Sequence, residues 1–288
     1  MKEALVENIS DTAKWVAFFR AEESERPDAV FNDPFAKKLA GDKGEQIANA
    51  IEFSRQNSWS FVARTFLFDQ YIDQHVAEGY DTIIDLAAGL DTRPYRLSLP
   101  ASLKWIDIDL PAMIAYKNNI LLNEKPRCSL NSIELDLADT NARLEVFKQL
   151  NAGAKKALII TEGLMIYLSA DQAAGLSRDL SSQNNFRRWV FDLQSPALLE
   201  MATDKMGGAL TGSGAKFQFA PEEGEEFFEH FGWKHVESKS TQHTALTLNR
   251  LSGELKTFAE MPEPPGPKRP FPWSGVCLFE NKTAGNSE

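Results

Sequence analysis

Apolar positions change their spacing once along this chain, near residue 80. Before that point they recur at helical steps. Trp15, Val16, Phe18 and Phe19 follow Asp11-Thr12, a pair suited to capping a helix. Pro27 and Asp33-Pro34 interrupt, and Phe35-Ala36-Lys37-Lys38-Leu39 resumes as helix. Phe61, Val62, Thr65, Phe66, Phe68, Tyr71, Ile72 and Val76 then mark one face of a long helix, with Ser58 placed to cap it and Gly79 to end it. Arg64 falls on the flank of that stripe, the place of a snorkelling surface arginine.

After residue 80 the apolar residues come as short runs that stop at acids. Thr82-Ile83-Ile84 runs into Asp85, and Trp105-Ile106 into Asp107-Ile108-Asp109. Between them lie the small-residue turn Ala87-Ala88-Gly89-Leu90-Asp91 and a short helical stretch, so the order is strand, tight turn, helix, strand. Gly89 permits a turn that a side chain would block. A helix over Leu110–Asn123 with Pro111 in its first turn, a strand over Ser129–Leu135 running into Asp136-Leu137, and a helix over Thr140–Leu150 follow. Ala157–Thr161 is a strand stopping at Glu162-Gly163. Ser169 caps a helix over Asp171–Leu180 with Gln172 as capping-box partner, and Arg188–Leu193 is again strand. Repeated βαβ units give a parallel sheet covered on both faces.

From Ser195 to Pro221 the rhythm breaks in the glycine-rich MGGALTGSGAKF, read as an insertion, either a lid over the site or a plain mobile surface loop. A helix over Pro221–Phe231 and a strand over Trp233–Ser238 come next. Residues 242–259 read as helix, with an extended alternative for TALTLN, before the proline-rich MPEPPGPKRPFP and a last strand at Val276–Phe279. The pattern predicts one α/β domain over residues 1–288. Residues 1–78 form a helical N-terminal cap, 80–194 and 221–282 a Rossmann-like core, and 195–220 the insertion.

Composition narrows the chemistry. With 43% apolar residues and 25% charged ones the chain can bury a full core. A net charge of -10 repels phosphate backbones and anionic lipid, so neither nucleic acid nor membrane is an expected partner. No apolar run approaches the roughly 18 residues of a membrane helix, and the acidic start MKEALVENISDTAKW does not read as a signal peptide. Cys128 and Cys277 match neither a disulfide framework nor a metal spacing, and the four histidines form no ligand pair, so no metal site and a cytoplasmic location are expected.

Ligands of open parallel sheets sit at the carboxyl ends of the strands. Here four successive ends carry acid: Asp85; Asp107 and Asp109; Asp136; Glu162. Acids suit a donor-rich, positively charged ligand and repel a bare phosphate, which needs amide hydrogens and lysine. A dinucleotide turn needs G-x-G-x-x-G, but A-A-G-L-D-T-R has one glycine and Asp91 beside it, and no Walker motif is present. An adenosyl cofactor without phosphate, S-adenosyl-L-methionine, fits this pattern.

Eight ordered pieces between about residues 10 and 235 resemble the leucine carboxyl methyltransferase family, including its bacterial branch of S-adenosylmethionine-dependent methyltransferases: DTAKWVAFFRAEES, FNDPFAKKLAG, RTFLFDQYI, IIDLAAGLDTRPYRL, WIDIDLP, ELDL, TEGLMIYLS and FGW. The resemblance implies a class I methyltransferase-like, doubly wound, mostly parallel seven-stranded sheet with a reversed final hairpin. It implies that Arg64 pairs with the carboxylate of the cofactor's methionine part, as a guanidinium fork suits, and that Gly89 lets the backbone approach that part. Asp109 would take the ribose hydroxyls, with Asp107 able to share the role. Asp136 and Leu137 would contact the adenine, Glu162 would lie near the amine and acceptor, and Arg20 near the carboxylate or acceptor. Ala87 departs from the family's L-G-x-G turn. The implied reaction is methyl transfer to a carboxylate or hydroxyl oxygen of a small molecule. The alternatives are a protein C-terminal carboxylate as acceptor, or a non-catalytic cofactor-binding protein. Glu162, Tyr167 and His243 are base candidates by residue type alone. The sequence specifies neither the acceptor nor the oligomeric state.

Overall fold

The computed structural model describes residues 6, 9–210, 214–263, 266 and 268–285. Four helices precede the first strand: α1 (Ile9–Ser24), α2 (Ala36–Ala50), α3 (Glu52–Gln56) and α4 (Ser58–Ala77). The alternating region comprises β1 (Thr82–Leu86), α5 (Arg93–Arg96), β2 (Lys104–Asp109), α6 (Pro111–Ile120), β3 (Ser129–Glu134), α7 (Thr140–Gly153), β4 (Ala157–Thr161), α8 (Ala170–Ser181) and β5 (Phe186–Gln194). After it come α9 (Pro196–Met206), α10 (Glu226–Glu229), β6 (Trp233–Ser240), α11 (Thr241–Thr247), α12 (Gly253–Ala259) and β7 (Ser274–Asn281).

The strands form one seven-stranded sheet in the order β3-β2-β1-β4-β5-β7-β6. The pairings from β3 through β5 are parallel, and β7 runs antiparallel to both β5 and β6. This is the expected doubly wound sheet with its reversed end. Strand order switches direction between β1 and β4, which opens a crevice at their carboxyl ends.

Two-residue alternation decides what each face buries. Ile84 and Ile159 point into the core beneath α7 and α8, where Trp189, Phe191, Phe228 and Phe279 also pack. Ile83, Leu158 and Ile160 point the other way, onto Leu67, Phe68, Tyr71 and Ile72 of α4. The stripe on α4 is therefore a sheet-covering face, and helices before residue 80 belong to the packing of the sheet.

Ser169 caps α8 in a full capping box with Gln172. Ser58, however, is the first residue of α4 rather than its cap, and Asp11 sits in the first turn of α1. The helix expected over Pro221–Phe231 shrinks to Glu226–Glu229 because Gly224 turns with φ +58. Residues 242–259 split into α11 and α12, with Asn249 left-handed between them and Gly253 left-handed at the start of α12. The expected insertion starts as a regular helix: Ser195 Oγ accepts from Leu198 N, and Pro196 opens α9. Residues 211–213 of that stretch, and 264, 265 and 267 of the proline-rich one, lie outside the described residues. Among the described residues no helix is long and apolar enough to cross a membrane.

Asp107 is not at the crevice. It is fully buried within β2, where Lys117 Nζ of α6 meets its Oδ2 at 2.7 Å and Trp105 Nε1 donates to its Oδ1 at 3.0 Å. Removing one partner of a buried pair strands the other charge, whereas removing both does not. Lys117→Met should lower the unfolding free energy by about 3–5 kcal/mol in urea denaturation at neutral pH. Adding Asp107→Leu should recover more than half of that loss.

Candidate active site

The crevice between β1 and β4 opens into a cavity of about 880 Å³. That is at the upper end of the roughly 300–1,000 Å³ of ligand sites. Arg20, Arg64, Gly89, Asp109, Asp136, Leu137, Glu162 and Tyr167 all line it. Asp107 and His243 do not; His243 is exposed on α11, so it has no access to a ligand in the cavity.

The turn after β1 shapes the floor. Ala87 and Gly89 both adopt left-handed backbone, φ +55 and φ +49. Glycine takes that conformation freely, while an alanine there costs roughly 1–2 kcal/mol, so the departure at position 87 is a strained one. Gly89 N donates to Asp109 Oδ2 at 2.7 Å, and Leu110 N donates to Oδ1 at 2.7 Å. The end of β2 is thereby tied to the turn after β1. Burial nevertheless outweighs these two donors and raises the Asp109 carboxyl above its usual value.

Arg64 reaches the crevice from α4. Its Nε meets Glu162 Oε1 at 3.0 Å and its Nη1 meets Asp192 Oδ2 at 3.2 Å, with Phe61 against the guanidinium. It is no surface arginine: the side chain is 16% exposed. Glu162 also takes Arg93 Nη2 at 2.8 Å, and Arg93 reaches Asp69 and Asp91. Burial opposes the charge on Glu162, but Arg93 and Arg64 overcome it and hold its carboxyl below the usual range. Burial opposes the charge on Asp91 too, but Arg93, Lys117 and Arg96 together draw it down to about 2. Asp192 goes the other way: burial raises it despite Arg64 and the amide of Gly163, which donates at 2.6 Å.

Asp85 ends β1 almost fully buried, with Oδ2 lacking any hydrogen-bond partner. Burial, then Asp91 and Asp107, push its carboxyl well above the ordinary range. At the far end Asp136 is exposed and accepts from Ala138 N at 2.9 Å, with Leu137 half-buried next to it. Arg20 is buried against Asp33 at 2.9 Å and donates to Leu90 O. Tyr167 is bonded to Thr12, and burial raises its phenol.

Asp192 and Arg93 escaped the sequence reading. Asp192 had a signal: an acid inside the apolar run WVFDL. Arg93 stands in LDTRPYRL, but its fan of three carboxylates comes from α4, the β1 loop and the end of β4, which only the fold brings together.

For Glu162 the sign is that of a depressed acid. Its contribution to stability is full above the usual 4.5 and is lost as pH falls through the lower folded value. Glu162→Gln should therefore cost about 3 kcal/mol at pH 7, and the gap to the unmodified chain should narrow as pH drops below 4.5; urea melts across pH check it.

Known proteins resemble this chain in sequence and in fold. Residues 13–181 match the model of the leucine carboxyl methyltransferase family. A candidate S-adenosyl-L-methionine-dependent methyltransferase of Frankia alni is 31% identical over 220 residues, 68% of this chain and 77% of that protein. Another from Parafrankia is 30% identical over 186 residues, 60% of this chain but only 59% of the relative's length. In fold, the chain is similar to a DUF574-family protein of Streptomyces avermitilis, with a TM-score of 0.60 at 12% identity over 94% of this chain and 97% of that one. A candidate methyltransferase of Thermobifida fusca gives 0.58 at 14% over 97% of each. S-adenosyl-L-methionine is the cofactor in the names of the curated relatives. With more than half of its length under the family model, the chain belongs to the leucine carboxyl methyltransferase family.

Proposed function

We propose that this chain is an S-adenosyl-L-methionine-dependent O-methyltransferase acting on a carboxylate or hydroxyl oxygen of a small molecule. The observation that carries the reading is Arg64, a guanidinium set between two carboxylates at the strand-order switch and lining the cavity. The donor set fits the cofactor. Arg64 would hold the amino-acid carboxylate, and Glu162 and Asp192 the ammonium beside it. Asp109, already turned toward the crevice by two amides, would take the ribose hydroxyls. Asp136 and Leu137 would face the adenine, and Arg20 would brace the turn through Leu90 O.

The cofactor would supply an electrophilic methyl group on a sulfonium. The protein's share is placement and exclusion of water. Glu162, held charged by two arginines, is a poor proton acceptor, and half-buried Tyr167, its phenol raised, keeps its proton at neutral pH. Tyr167 therefore positions rather than deprotonates, and the acceptor oxygen relies on its own acidity. In this reading residues 1–288 work as one domain, with α9 of the 195–220 stretch walling the acceptor side.

Calorimetry with S-adenosylhomocysteine tests the reading. The unmodified chain should bind it, and Arg64→Lys should weaken binding at least about tenfold, or 1.4 kcal/mol, since an ammonium cannot replace the fork. Absence of binding by the unmodified chain would end the proposal.

A further inference from the structure

The cavity continues past Glu162, away from the sheet, and changes character. Its walls there are aromatic and aliphatic: Trp15 of α1, Phe61 of α4, Tyr167, Met206 of α9 and Phe217. Trp15 packs edge-on to Phe61 at 5.7 Å, and Tyr167 lies 5.6 Å from Phe217. Since Phe61 also lies against the Arg64 guanidinium, this apolar chamber directly adjoins the proposed methionine end.

Every cation among the cavity's described lining residues is matched, and acids outnumber them. No lysine, histidine or cysteine is among its described lining residues. The arginines that line it are Arg20, Arg64, Arg93, Arg96 and Arg143, and each is already paired with an acid. A carboxylate entering the chamber would lose its water and meet no uncommitted cation. Part of the exposed rim is apolar as well. Met201 of α9 and Leu255 and Phe258 of α12 line the cavity while remaining 38%, 39% and 45% exposed. Large apolar side chains left in water around a cavity mouth mark the entry of an apolar ligand.

Resting on the methyltransferase reading, we infer that the acceptor is a hydrophobic molecule that enters uncharged and presents a phenolic or enolic hydroxyl, rather than a carboxylate, to the methyl donor. The aromatic walls suit a ring. Beside the apolar walls Glu162 and Asp192 are paired with Arg64, and burial raises the Tyr167 phenol, so the hydroxyl must be acidic enough by itself; phenols and enols are, and aliphatic alcohols are not. In the transfer the hydroxyl oxygen forms the new O–C bond with its lone pair. The electrons of the broken S–C bond return to sulfur, which becomes a neutral thioether, and the hydroxyl proton passes to water.

Two probes with one ring system separate the cases. With the full chain saturated in S-adenosylhomocysteine at pH 7, calorimetry should show 2-naphthol binding at least about tenfold tighter than 2-naphthoate. Phe258→Asp, at an exposed position, should weaken 2-naphthol about fivefold or more and leave S-adenosylhomocysteine affinity unchanged. Equal or tighter binding of 2-naphthoate would overturn the inference. So would failure of both probes while S-adenosylhomocysteine binds, or a Phe258→Asp variant with unaltered 2-naphthol affinity. Failure of S-adenosylhomocysteine to bind is a separate result that removes the methyltransferase reading itself.

Discussion

A lattice of buried charge fixes how the N-terminal helices meet the sheet. Arg64 links α4 to Glu162 after β4 and to Asp192 on β5, and Arg93 links Glu162 to Asp91 and to Asp69 of α4. Arg96 closes the lattice on Asp69. Apolar packing of α4 is non-directional and would tolerate sliding along the sheet. Buried ions do not, because each lost partner leaves an uncompensated charge out of water. The helix therefore docks in one register, and that register delivers Arg64 to the crevice where strand order switches.

The same lattice divides the cavity into two halves with different histories in the sequence. Arg64, Gly89, Asp109, Asp136 and Glu162 all fall within residues 13–181, the span that matches the family model. Met201, Phe217, Leu255 and Phe258, which shape the opposite half, fall after it. The family span thus contains the polar end of the cavity, the end proposed to face the cofactor. The apolar end draws on both sides of that boundary, with Trp15, Phe61 and Tyr167 inside the span and Met206 and Phe217 after it. The two halves are nonetheless stitched together, since Gln218 N donates to Ile166 O and Gln218 Nε2 to Tyr167 O.

Much of this is legible in the sequence. Apolar runs stopping at Asp85, Asp109 and Glu162 gave the strands and pointed to their carboxyl ends, and Ser169 with Gln172 marked the start of α8. Other features resisted for physical reasons. Asp107 and Asp109 share a face of β2 by alternation, so periodicity could not separate them; depth does, Asp107 lying one step inward under Lys117. Arg64 looked like a surface residue because helical periodicity reports position on a helix and nothing about partners 98 and 128 residues away. Gly224 turned a run of helix formers into a short turn, and glycines in MGGALTGSGAKF drew attention from the Ser195-Pro196 start of α9.

The central claim is that one guanidinium and one carboxylate, Arg64 and Asp109, hold opposite parts of the cofactor. A crystal structure of the chain with S-adenosylhomocysteine tests it most directly. The account predicts the amino-acid carboxylate on the Arg64 guanidinium and the ribose hydroxyls on Asp109, within hydrogen-bonding distance of about 2.7–3.2 Å. An amino-acid carboxylate bound elsewhere, with Arg64 contacting only Glu162 and Asp192, would contradict it.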